Sequence, residues 1–91
     1  MDTVLRLYVV TGTQLCDRAV GALRRLQREH LDDGASVEIV DVREHPEEAE
    51  AAGVLATPLL VRVSPEPVRR IVGDLSDVER VRWSLGLGDV A

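Results

Sequence analysis

The segment Val4 to Val10 is a nearly continuous apolar run interrupted only by Arg6. Such a run fits a strand buried on both faces, because a strand with one wet face alternates apolar and polar residues. A strand of this kind belongs in the middle of a sheet, so elements must cover it above, below and on both edges. The chain has 91 residues to do this with, close to the smallest size at which one hydrophobic core suffices. A single domain over residues 1–91 is expected.

The cover comes from the segments beyond this run. After the turn residues Thr11, Gly12 and Thr13, Leu15, Ala19, Leu23, Leu26 and His30 or Leu31 recur at helical spacing, with Arg18, Arg25 and Arg28 turned elsewhere. The helix is expected to stop at Asp32-Asp33-Gly34. Val37, Ile39, Val40 and Val42 form a second strand, and strand, helix, strand with short links implies a parallel crossover. Pro46 at a first helical position, Glu47 and Glu48 in the first turn and Gly53 beyond the last predict a short helix. Leu59 to Val63 and Val68 to Val72 are two more strands, joined through Ser64-Pro65-Glu66-Pro67 as a hairpin. Ser76-Asp77-Val78-Glu79 reads as a capping box opening a terminal helix with Val78, Val81 and Leu85 on one face and Gly86 and Gly88 fraying its end. The order βαβαββα is the minimal thioredoxin-like arrangement of an α/β fold.

Charge and composition narrow the function. A net charge of −5 and only two aromatics, Tyr8 and Trp83, argue against nucleic acid as partner. The N-terminal run is too short for a signal peptide or membrane span, so a cytoplasmic protein without a membrane partner is expected. His30 and His45 have no third ligand spaced beside them, and no metal or other cofactor is expected. Carboxylates crowd Asp41 to Glu50, whereas Arg62, Arg69 and Arg70 make the next stretch basic. Most such runs are solvated faces, although opposite poles can orient a protein partner.

Thioredoxin-like enzymes place Cys-x-x-Cys between the first strand and first helix, where the helix N-terminus stabilises the attacking thiolate. Here the position reads Thr13-Gln14-Leu15-Cys16. By resemblance to the glutaredoxin pattern, Cys16 matches the second, shielded cysteine and Thr13 stands where the nucleophile would be. The chain is therefore expected not to be an enzyme, Cys16 being a small buried thiol. The alternative is a monothiol redox or thiol-sensing protein using Cys16. Thr57-Pro58 stands where thioredoxin-like proteins carry a cis proline. The cis isomer is expected, with an ordinary trans strand-starting proline as the alternative.

The segments LRLYVVTGT, RAVGALRRL, VEIVDVREHPEEAE and LATPLLVRVSPEPVRRIVGDLSDVERV resemble the KaiB family over residues 4–85 without a gap. The most distinctive are VDV-x-x-x-P, ATP-x-L and PVRRIVGDLSD. This resemblance implies docking without catalysis: a partner in a KaiC-like hexameric ATPase, through it a KaiA-like protein or a histidine kinase, and kinship with the SasA sensor domain. It also implies self-association as a dimer or tetramer, and an alternative resting fold in which the C-terminal half is rebuilt. Arg18, Arg69 and Arg70 lie in the most similar segments and are the candidate partner-binding residues. Pro58, Pro65, Pro67, Ser76, Ser84 and Gly86 are the candidate structural or switch positions. Ser84 stands where the family usually has Gly, and Gly86 where it has Asp. The thioredoxin-like form is expected on the strength of the Ser76 cap and the helical spacing.

Overall fold

A computed structural model describes residues 3–31 and 34–86. The elements are β1 (Val4–Val9), α1 (Gln14–His30), β2 (Ser36–Asp41), α2 (Pro46–Ala51), β3 (Leu59–Ser64), β4 (Arg69–Val72) and α3 (Val78–Ser84). They form a thioredoxin-like fold with one four-stranded sheet in the order β2-β1-β3-β4. β1 pairs parallel with β2 and antiparallel with β3, and β3 pairs antiparallel with β4 as the expected hairpin.

Because successive strand residues point to opposite faces, β1 divides its side chains between two cores. Leu5, Leu7 and Val9 join Leu60 of β3 and the inner faces of α1 and α3. Tyr8 turns the other way and meets Val40, Leu59 and Val61, with Ala52 and Val54 at the end of α2 packed against them.

α1 starts on Thr13, whose side chain accepts from the Cys16 N–H. That start sets the helical phase, so the buried stripe runs Cys16, Ala19, Leu23, Leu26. Leu15, expected in the core, lies one residue and about 100° around the helix from it and is 39% exposed. The helix ends at His30 on an extended Leu31, ahead of the expected stop. Asp32 and Asp33 of that stop lie outside the described residues.

α2 opens on Pro46 and closes as read from the sequence. Gly53 takes φ +70 after the last turn. Its N–H reaches Glu50 O and the Val54 N–H reaches Ala49 O, the paired bonds of a Schellman ending.

α3 departs from the expected capping box in one respect. The N-cap is Asp77, whose carboxylate accepts from the Arg80 N–H at 3.1 Å. Ser76 instead gives its N–H to Asp74 Oδ1 at 2.9 Å. Glu79 does not close a box, because its carboxylate is held by Arg82 at 2.7 Å and faces His30 at 3.9 Å. The expected buried face is present, with Val78, Val81 and Leu85 in the core. Gly86 lies at the end of this helix. It sits past the C-cap at φ +73 and donates to Trp83 O, where glycine terminates a helix without strain. Gly88, the other glycine expected to fray this end, lies outside the described residues.

Two substitutions separate the caps. Asp77→Ala is expected to lower stability by about 0.5–2 kcal/mol, whereas Ser76→Ala should cost a small fraction of that. Urea midpoints of the two variants measured side by side check the assignment; equal losses would return the cap to Ser76.

Candidate functional site

Tyr8, Leu59 and Val72 lie in one row across the sheet, so the chain leaving β1, entering β3 and leaving β4 meets at one end. This is the end where a thioredoxin-like enzyme carries its dithiol. The Thr57–Pro58 peptide there is cis, the expected isomer, and Pro58 is buried with its carbonyl accepting from the Gly73 N–H at 3.0 Å. Gly12, at φ +93, turns the chain from β1 towards α1.

Thr13 occupies the nucleophile position and is consumed by structure. Its hydroxyl donates to Val10 O at 3.1 Å and accepts from Cys16 N at 3.3 Å. Cys16 is 2% exposed and its sulfur accepts from the Val10 N–H at 3.4 Å. No second cysteine exists in the chain to complete a disulfide. A thiol enclosed by its own core and lacking a partner has neither the access nor the resolving sulfur that dithiol exchange uses.

A polar cluster that residue patterning did not single out fixes the neighbouring loop. Asp41, at the end of β2, accepts from Thr11 Oγ1 at 2.6 Å and from the Arg43 N–H at 2.8 Å. Arg43 closes the ring by donating to Thr11 O at 2.6 Å. The Thr11 hydroxyl, then the Arg43 N–H, holds the Asp41 carboxyl below the usual carboxylate range. Every polar atom named here has a partner within the cluster, so it anchors the β1–α1 loop to β2 and leaves no free ligand group. The signal was present in the VDV-x-x-x-P segment as an Asp ending an apolar strand.

The three candidate docking arginines do not converge. Arg18 is exposed on α1 and lies close enough to Asp74 to help hold that carboxyl down, behind the larger effect of the Ser76 hydrogen bonds. Arg69 and Arg70 are adjacent on β4 and so face opposite sides of the sheet. Arg70 donates to Ala52 O at the end of α2. Arg69 faces the α3 side, where it borders Gly86. Arg62, in the sequence only one member of a basic stretch, is 6% exposed and donates to Leu85 O at 2.5 Å and Pro67 O at 2.7 Å. The Ser64–Pro65 and Glu66–Pro67 bonds are both cis, and the hairpin tip presents the Pro67 carbonyl to Arg62. Ser84 is the exposed last residue of α3. His30 and His45 are each near one glutamate, Glu79 and Glu48, and the described residues hold no group of three metal-ligating side chains. No described helix is long and apolar enough to cross a membrane.

Comparison with known proteins settles the kinship. The family model described as the KaiB domain matches residues 6–87. The chain belongs to the KaiB family. It is 43% identical over 84 residues to the circadian clock oscillator protein KaiB of Prochlorococcus marinus, covering 92% of this chain and 71% of that one. It is 38% identical over 84 residues to the circadian clock protein KaiB3 of a Synechocystis strain, covering 92% and 82%. These family members are circadian clock proteins. The fold likeness is broader. The N-terminal domain of SasA from Synechococcus elongatus superposes with a TM-score of 0.73 at 22% identity, covering 100% of this chain and 90% of that domain. Yeast mitochondrial thioredoxin 3 gives a TM-score of 0.76 at 19% identity, covering 93% and 77%. At such identities the shared feature is the fold.

The depressed Asp41 carboxyl has a signed consequence. A group whose folded pKa lies below its unfolded value of about 3.9 contributes stability above that value and loses it as pH falls through the folded one. Asp41→Asn is therefore expected to be less stable than the parent at neutral pH and to show a shallower loss below about pH 4. Urea midpoints from pH 7 to pH 2 measure this, and parallel curves for parent and variant would contradict it.

Proposed function

We propose that this chain is a non-catalytic docking module that binds a KaiC-like hexameric ATPase in the thioredoxin-like form and so regulates clock-type timing or signalling. The observation that carries the reading is the occupied redox position. Thr13 caps α1 where a nucleophile would stand, and the sole thiol is enclosed beneath it. With the fold's usual chemistry absent, what it offers is surface, and the KaiB relatives are named as clock proteins. A KaiA-like protein or a histidine kinase is then reached through, or displaced from, the same ring. Self-association as a dimer or tetramer, and a cytoplasmic location, belong to the same reading.

The surface suits docking in two respects. Leu55, in the loop before Pro58, is 98% exposed and so offers an apolar side chain for a partner to bury. Exposed Arg18 lies at the same end of the molecule, since it acts on Asp74 just past β4.

Gel filtration of this chain with the KaiC-type protein of its own organism in ATP is expected to give co-elution; absence of any complex would defeat the proposal. Cys16→Ser is expected to retain the fold and to bind within tenfold of the parent, since a serine hydroxyl can also take the Val10 N–H. The native thiol should resist thiol reagents and the protein should not reduce disulfides. Fast labelling of folded protein, or disulfide turnover lost in Cys16→Ser, would favour the monothiol alternative.

A further inference from the structure

Arg62 and Arg69 are direct cross-strand partners in the β3–β4 register. Facing residues of an antiparallel pair stand about 5 Å apart at Cβ, and like charges there repel. Neither guanidinium has a carboxylate within ion-pair distance among the described residues. Arg62 is buried, yet its hydrogen-bond partners are two neutral carbonyls, and its Nε is buried with none among the described residues. One of those carbonyls belongs to Leu85 at the C-terminus of α3, and a helix end offers at most about half a negative charge. Among the described residues, two full positive charges therefore share at most about half a negative one.

Gly86 shows that both groups border one space. A Cβ there would stand 2.7 Å from Arg62 Nη1 and 3.6 Å from Arg69 Nε. Trp83, whose carbonyl takes the Gly86 N–H, is 65% exposed one turn earlier. Tryptophan and arginine are the residue types most enriched among interface anchors.

We propose that the Arg62–Arg69 pair beside the α3 C-terminus is a carboxylate receptor, filled by an acidic side chain that a protein partner presents next to an apolar one. Arg69 offers the planar fork that matches a carboxylate, and Arg62 supplies buried charge behind it. In a chain of net charge −5, this locally basic site also selects the orientation in which an acidic segment approaches. The inference rests on the docking reading above and assigns a contact within it.

The test has two arms. In the first, hexaglutamate peptide and, separately, inorganic phosphate are titrated into the free protein while the arginine Nε–H signals are followed by NMR. Saturable movement of the Arg62 and Arg69 signals with hexaglutamate is expected, with those of exposed Arg24 and Arg28 nearly still. In Arg69→Gln the Arg62 signal should no longer respond. No movement, equal movement of all arginines, or saturation by phosphate alone would overturn the assignment. In the second, Arg69→Gln is expected to weaken binding to the KaiC-type ring by about tenfold or more, and Arg24→Gln to leave it unchanged. Equal affinity of parent and Arg69→Gln would overturn the contact. A ring that binds no variant, parent included, would defeat the docking reading, and the peptide arm would still decide the receptor.

Discussion

The burial of β1 on both faces is the constraint on which the rest of the structure depends. Leu5, Leu7 and Val9 on one side and Tyr8 on the other are almost wholly removed from water. Each fully buried aliphatic side chain contributes roughly 1.5–3 kcal/mol, so this strand alone commits several such terms to there being cover on both faces. α1 and α3 supply one side. The other receives only the six-residue α2 with its following loop, which is why Ala52 and Val54 rather than a long helix lie beside Tyr8.

Much of this was legible because local and global signals agree. The apolar run of β1, the 3.6-residue period of α1, Pro46 and Gly53 around α2, and the proline-rich hairpin link each point to the element that forms. The misreadings share a cause: the sequence names a residue type suited to a role but not which neighbour takes it. Leu15 is the more apolar residue, yet Cys16 is buried because the Thr13 cap sets the phase of the helix. Ser76 and Asp77 are both good N-caps, and Asp74 decides between them by taking the Ser76 N–H.

The candidate site was less legible than the fold for a related reason. The vacancy at the redox position could be read directly, because a missing cysteine is a fact of sequence. The docking arginines could not be, since strand alternation sends Arg69 and Arg70 to opposite faces and the partner of each is set by tertiary contacts. Arg62 looked like one more surface charge in a basic stretch. Its alternation with Leu60 on the α1–α3 face, visible once the register is known, turns it inward.

That inward arginine changes how the C-terminal half is held. α3 is seven residues long, below the length at which a helix is stable by itself, so it depends on what docks it. Val78, Val81 and Leu85 provide apolar contact, which is nondirectional and tolerates sliding. Arg62 adds direction, because one guanidinium bonds both the Leu85 carbonyl at the end of α3 and the Pro67 carbonyl in the hairpin. Sheet, hairpin and terminal helix therefore meet at a single charged group that has only neutral acceptors among the described residues. Much of the hydrogen bonding of such a buried charge offsets its desolvation, so it adds less net stability than its two bonds alone suggest. The same group that orders α3 internally is thus one of a pair that has no carboxylate within ion-pair distance among the described residues.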